Sequence, residues 1–139
     1  MDVATLMFIA YRAMDERVIS AMREAGYDIT VAQARLAQRI AEDGSRLVDL
    51  AEQAQVTKQT ASVLVAALES KGLVERVPDP IDGRARLIRF TAAGQDAADR
   101  ARGVVVSVEQ EWNDHLGPHL AAALREALTS LRELVDPYQ

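Results

Sequence analysis

The chain has 139 residues, no cysteine and a formal net charge of −5. Its length predicts a single compact domain, and the missing cysteines exclude disulfides and thiolate metal sites. No apolar run approaches roughly 18 residues and no basic leader precedes the first apolar stretch, so we expect a cytoplasmic protein without a membrane span or signal peptide.

The first part of the chain contains two helix signals. Apolar residues recur at helical spacing over Val3–Ala25, and Gly26 ends that pattern. Thr30 is placed to cap a second helix over Val31–Glu42, which Asp43-Gly44 would end.

The next stretch predicts a helix-turn-helix. Leu47–Ala54 has helical periodicity, and Thr57 is placed to cap a second helix by accepting a hydrogen bond from a backbone N–H. Lys71-Gly72-Leu73 has the cation, glycine and apolar residue typical of a helix end. Because Ala51 and Ala61 are small, the two helices can cross closely.

The N-terminal end of the second helix has side chains suited to a DNA major groove. Lys58 can contact phosphate or guanine, and Gln59 can pair with adenine. Thr60 and Ser62 are tolerant hydrogen-bonding groups, whereas Val63 offers only apolar contact, for example to a thymine methyl group. The alternative is an ordinary helical hairpin with a solvated polar face.

A short hairpin follows. Val74–Val77 and Leu87–Thr91 predict strands, and the segment between them is dense in turn-forming residues. Arg84 and Arg86 at its tip are suited to a narrow, negative minor groove. Asp82 could orient the Arg84 guanidinium through a charge-assisted hydrogen bond. The alternative is a solvated turn with incidental charges.

The remainder of the chain predicts two more helices. Thr91 can cap a long helix over Ala92–Leu116, whose periodicity outweighs the β-branched run Val104–Val106. Pro118 suits the first turn of a terminal helix with a leucine-rich face. The first and last helices have more apolar surface than one small domain needs, so we expect them to pair with a second copy. Packing within one chain is the alternative.

The basic residues are concentrated in one segment. Residues 57–91 hold six Lys and Arg against four Asp and Glu, whereas the rest of the chain holds ten against seventeen. The excess is small, but its position matches the predicted DNA-binding elements.

The sequence has no clear motif for metal binding, cofactor binding or catalysis. His115 and His119 have the spacing of a helical metal pair, but Gly117-Pro118 separates them and no further ligand accompanies them. The sequence has no phosphate-binding loop or nucleophile motif. We therefore expect no metal, no cofactor and no enzymatic activity.

These segments together resemble the MarR family of winged-helix transcription regulators, with the similarity in residues 50–60, 68–76, 79–84 and 91–94. Asp82 and Arg84 match the family's Asp-x-Arg wing, and Phe90 replaces the leucine of its Leu-Thr-x-x-Gly junction. The resemblance implies one mainly α domain over residues 1–139 with a small β-hairpin wing. Residues 1–28 and 92–139 would be dimerisation helices, and residues 29–91 the winged helix-turn-helix.

The resemblance also implies partners. The protein would be a homodimer on a pseudo-palindromic double-stranded operator, usually a repressor released by a small-molecule effector. An effector pocket would lie between the dimerisation helices and the winged helix, where Met7, Tyr11 and Tyr27 could line it or simply be core residues. Arg46, just before a helix, could contact phosphate or be an idle surface residue.

Two departures from the family pattern affect affinity. Gln55 occupies a turn position that usually holds glycine, so the turn must be strained or differently shaped. Val63 stands where the family often has arginine, which should shift phosphate contacts to the wing. The competing hypothesis is a winged-helix adaptor that binds another protein and no DNA.

Overall fold

The computed structural model describes residues 1–138, which form six helices and one two-stranded antiparallel hairpin. The fold is therefore mainly helical with a small β-hairpin, as predicted. The elements in chain order are α1 (Val3–Glu24), α2 (Val31–Ala37), α3 (Leu47–Gln53), α4 (Lys58–Ser70), β1 (Val74–Pro78), β2 (Arg86–Phe90), α5 (Ala92–Leu116) and α6 (Pro118–Val135).

Three threonines begin helices where the sequence predicts caps. The hydroxyl oxygens of Thr30, Thr57 and Thr91 accept hydrogen bonds from backbone N–H groups three residues later, at 3.2, 3.0 and 3.0 Å. Each bond satisfies an N–H that has no partner inside its helix. The predicted starts of α2, α4 and α5 are thus confirmed.

Helix α2 is shorter than predicted, because it ends at Ala37 rather than Glu42. The N–H of Ile40 donates to the carbonyl of Ala37 at 3.1 Å, which makes a tight turn that brings Ile40 into the core. Farther on, Ser45 exchanges backbone hydrogen bonds of 2.9 and 2.8 Å with Ile88 on β2. Turns over residues 38–44 replace the last predicted turns of the helix and lead the chain to its pairing with the hairpin at Ser45.

One apolar core joins the helix-turn-helix to the hairpin. Its small members Ala51 and Ala61 are 4% and 0% exposed, as expected for residues at a close helix crossing. The large side chains that are fully buried in this core are Leu36, Leu50, Val65, Leu68, Val74 and Ile88. This packing holds α2, α3, α4 and the hairpin together as one body.

Two hydrogen bonds join the residues that follow α4 to Thr91, the residue before α5. The Thr91 hydroxyl donates to the carbonyl of Gly72 at 2.6 Å, and the Thr91 N–H donates to the carbonyl of Leu73 at 3.1 Å. A Cβ at Gly94 would lie 1.8 Å from that Leu73 oxygen. Only glycine fits at this position, which explains the glycine of the Thr-x-x-Gly junction in steric terms.

The first and last helices leave much apolar surface uncovered. Helix α1 packs on α5, where the Arg17 guanidinium makes two hydrogen bonds to the Glu111 carboxylate at 2.7 and 2.9 Å. Helix α6 has no buried residue, and no described helix is long and apolar enough to cross a membrane. The exposed large apolar residues of these helices are Val3, Leu6, Met7, Phe8, Ile9, Tyr11, Leu120, Leu124, Leu128, Leu131, Leu134 and Val135.

Candidate nucleic-acid interface

Helix α4 has one buried and one exposed side. Ala61, Val65 and Leu68 are buried in the core, which fixes the rotation of the helix on the body. Its predicted DNA-contacting residues lie on the rest of its circumference. Lys58, Gln59 and Thr60 are exposed, Ser62 is half-buried, and Val63 is 64% exposed.

The turn before α4 accommodates its non-glycine residue by adopting a left-handed conformation. Gln55 has φ 57°, which costs a residue with a Cβ about 1–2 kcal/mol. Its side-chain amide donates to the carbonyl of Glu52 at 2.7 Å, which partly offsets that cost. The N–H of Val56 donates to the carbonyl of Ala51 at 3.0 Å. Helices that end at a glycine in the left-handed conformation have this same hydrogen bond, so Gln55 ends α3 with the geometry typical of glycine.

The wing is formed by strands paired from Val74 with Phe90 to Pro78 with Arg86. At its tip the N–H of Asp79 donates to the carbonyl of Ala85 at 3.0 Å. Arg84 and Arg86 are both exposed. The predicted hairpin is therefore present, and it holds both arginines in solvent.

Asp82 has a different partner from the one predicted. Its carboxylate accepts the backbone N–H of Arg84 at 3.1 Å, and it forms no ion pair with the Arg84 guanidinium within 4.0 Å. The bond is local because a carboxylate reaches an N–H two residues on in an Asx turn. Asp82 thus stabilises the loop conformation and does not bind the Arg84 guanidinium.

The carboxylate that does bind an arginine is Asp79. Its Oδ2 accepts hydrogen bonds from Nε and Nη2 of Arg46 at 3.0 and 2.7 Å, and its Oδ1 accepts the N–H of Ile81 at 2.9 Å. The Asp79 side chain is 7% exposed, whereas that of Arg46 is 42% exposed. Since Arg46 is the residue before α3, this pair of hydrogen bonds, the Arg46–Asp79 fork, joins the start of the helix-turn-helix to the loop at the tip of the wing.

These contacts change the ionisation of both groups. The Ile81 N–H, followed by the Arg46 guanidinium, lowers the pKa of the Asp79 carboxyl below its ordinary value. The hydrogen bond from Arg46 to Asp79 raises the pKa of Arg46 in turn. Both groups therefore remain charged near neutral pH, and the fork persists there.

The cations of residues 57–91 divide into two groups. Arg76 and Arg89 pair with Glu69 and Glu75 at 3.5 and 2.8 Å, and Lys71 donates to Gln33 at 3.0 Å. In contrast, none of the side chains of Lys58, Arg84 and Arg86 has an ion-pair or hydrogen-bond partner among residues 1–138. The three unpaired cations are therefore those at the start of α4 and on the wing.

A cavity of about 300 Å³ lies between α1, α2, α5 and the end of α4. It occupies the place expected for an effector pocket, but Met7, Tyr11 and Tyr27 do not line it. Met7 is exposed, Tyr27 packs against the core, and the Tyr11 ring lies beneath the Arg35 guanidinium at 5.1 Å. The lining is mostly aliphatic and includes Val18, Met22, Ile40, Leu68, Ala101 and Val105.

Sequence reasoning did not single out Asp79 as a functional residue. Arg46 and Asp79 are 33 positions apart, so no local pattern signals their pairing. A weak signal was available, because Asp79 precedes a proline in a turn-rich segment, where aspartate commonly accepts backbone N–H groups. Arg46 was expected to contact phosphate or to be an idle surface residue; its guanidinium binds Asp79, so it is not idle, and the phosphate contact stays a prediction.

The comparisons with known proteins agree with this architecture. The profile of the MarR family matches residues 27–85, which include α2 to α4 and most of the wing. The transcriptional regulator HosA of Escherichia coli O111:H- is 36% identical over 86 residues, which are 61% of this chain and 64% of that protein. The similarity thus spans somewhat less than two thirds of that relative's length.

The structural similarity extends over nearly the whole chain. The apo structure of MarR from E. coli superimposes with a TM-score of 0.75 at 24% identity, over 94% of this chain and 97% of that one. A point mutant of MepR from S. aureus, solved bound to an oligodeoxyribonucleotide, gives a TM-score of 0.63 at 22% identity over 98% of this chain and 99% of that one. The shared fold therefore includes the terminal helices as well as the winged helix.

Proposed function

We infer from the family profile and the curated relatives that the chain belongs to the MarR family of winged-helix regulators, and from this premise we propose that it binds operator DNA and regulates transcription. The family and the curated relatives are transcriptional regulators rather than enzymes. A regulator of this kind would act in the cytoplasm, beside the chromosome.

The observation that carries the proposal is the set of unpaired cations. Lys58, Arg84 and Arg86 have no partner among residues 1–138, although the chain as a whole has an excess of carboxylates. Phosphate groups would satisfy these cations and release counterions. The exposed start of α4 is suited to the major groove and the arginine wing to the adjacent minor groove. The oligonucleotide complex of MepR supports the same use of this fold.

We also propose a homodimer formed by α1 and α6. These two helices leave many large apolar residues exposed, and a second copy would cover them. A two-fold axis would then present two α4 helices to successive major grooves about 34–36 Å apart, on a pseudo-palindromic site. Residues 1–28 and 92–139 would serve dimerisation, and residues 29–91 would serve DNA binding.

The cavity supports a ligand-responsive repressor. It lies where α1 and α5 meet the winged helix, so a ligand bound there would contact both parts. A ligand that prefers one arrangement of these parts would shift the distance between the two reading helices and so change operator affinity.

A gel-shift assay on DNA upstream of the protein's own gene, with a salt titration, tests the function. We expect a duplex from this region to bind and its affinity to fall steeply between about 50 and 200 mM salt. Selection of bound genomic fragments extends the test to operators elsewhere. The absence of salt-sensitive binding to any duplex would favour a protein-binding adaptor instead.

A further inference from the structure

Helix α4 has an apolar residue in the middle of its exposed side. Val63 is 64% exposed, and the exposed Ala66 lies three residues farther along the helix. Lys58 is the only cation in α4, and Glu69 is its only anion. Beyond its first turn, the exposed side of α4 therefore lacks the arginine or lysine that recognises guanine most often.

The conformation of Val63 is well defined before any partner binds. A β-branched side chain in a helix has one strongly preferred χ1 rotamer, so its two methyl groups are held in place by the backbone. Ordering them on binding costs little entropy. Gln59 is four residues earlier and about 6 Å away along the helix axis, a distance of roughly two base-pair steps. Val63 is thus a rigid apolar contact close to a polar one.

We propose that Val63 reads the C5-methyl group of a thymine in each operator half-site. The inference rests on the proposed DNA-binding function and adds to it the base that this position selects. Thymine is the only standard base that presents an apolar group in the major groove. A valine there would bury its methyl groups against that of thymine, whereas the polar edges of guanine and cytosine would lose water without gaining a hydrogen bond.

The test replaces thymine by deoxyuridine, one position at a time, in an operator obtained by selection from genomic DNA. This change removes a methyl group and leaves base pairing intact. We expect one position per half-site at which the change weakens binding about fourfold, and about fifteenfold when both half-sites are changed. Val63→Ala should bind the thymine and deoxyuridine duplexes almost equally at that position.

The matched control is Val106→Ala on α5. Val106 is 65% exposed, close to the value for Val63, but it lies outside the helix-turn-helix. Because the readout is the ratio of two affinities for one protein, any effect of this variant on dimerisation cancels. The ratio should remain that of the wild-type protein.

Three outcomes would overturn the inference. Salt-sensitive binding with equal affinity for thymine and deoxyuridine at every position would refute it and leave the proposed function standing. A thymine preference that persists in Val63→Ala would assign methyl recognition to another residue. Absence of salt-sensitive binding to any duplex would refute the proposed function and this inference together.

Discussion

At position 94 a side chain would collide with the backbone of a neighbouring segment. The Cβ of an alanine would lie 1.8 Å from the Leu73 carbonyl oxygen, so the junction between α4 and α5 would have to separate. We expect Gly94→Ala to lower the free energy of unfolding by about 3 kcal/mol, as measured by urea denaturation. A Cβ at Gly103, in the same helix, would meet no atom within 4 Å. Gly103→Ala should raise the free energy of unfolding by about 0.5–1 kcal/mol, and equal losses in both variants would contradict the steric explanation.

The Asp79 carboxyl should make stability depend on pH. Because its pKa is lower in the folded protein than its ordinary value of 3.8, its contribution is present above about pH 4. That contribution is lost as the pH falls through the folded-state pKa. We therefore expect the free energy of unfolding to decrease more steeply with acidification below pH 4 in the wild-type protein than in Asp79→Asn. Parallel pH profiles would show that Asp79 titrates alike in the folded and unfolded chains.

At the scale of elements, the hydrogen-bonded fork between Arg46 and Asp79 joins the helix-turn-helix to the wing. If it positions the wing, Arg46→Ala and Asp79→Ala should each weaken operator binding by about fivefold, and the double variant should be no worse than either single variant. The salt dependence of binding should remain nearly that of the wild-type protein, because no phosphate contact is lost. Additive losses, or a reduced salt slope in Arg46→Ala, would instead indicate that Arg46 contacts phosphate itself.

The elements that the sequence predicted well are those defined by local signals. Thr57 and Thr91 mark helix starts through bonds to residues three positions away, and α5 continues through Val104–Val106 because its periodicity is long. The predicted end of α2 was wrong because the chain turns after Ala37 to bury Ile40 and then pairs Ser45 with the distant Ile88, and periodicity signals neither contact. The pairing of Arg46 with Asp79 was missed for the same reason.

Within the candidate site, too, features set by local sequence could be predicted, whereas features set by the detailed packing of the chain could not. The exposure of Lys58, Gln59 and Val63 could be predicted because burial of the opposite stripe fixes the rotation of α4. The partner of Asp82 could not, since a carboxylate near a turn chooses between a backbone N–H and a side chain according to the loop's detailed shape. The lining of the cavity depends on how four helices pack, which periodicity does not specify.

At the scale of the whole molecule, dimerisation through α1 and α6 would determine how the two reading helices are spaced. Leu128 is 45% exposed on α6, and a buried glutamate in its place would be left without a partner. We expect Leu128→Glu to sediment as a monomer at micromolar concentration, and the wild-type protein to sediment as a dimer. Val48→Glu is the control, since Val48 is also 45% exposed but lies on α3. Dimers in both variants would assign the interface to another surface.

The most direct test of the account is the slope of operator affinity against salt concentration, compared between two wing arginines. Arg84 has no partner for its guanidinium among residues 1–138, whereas Arg89 pairs with Glu75 at 2.8 Å. If the unpaired cations bind phosphate, Arg84→Ala should reduce the slope by about one unit per protomer and Arg89→Ala should leave it nearly unchanged. Equal slopes in the wild-type protein and both variants would contradict the claim that the wing binds DNA through its free arginines.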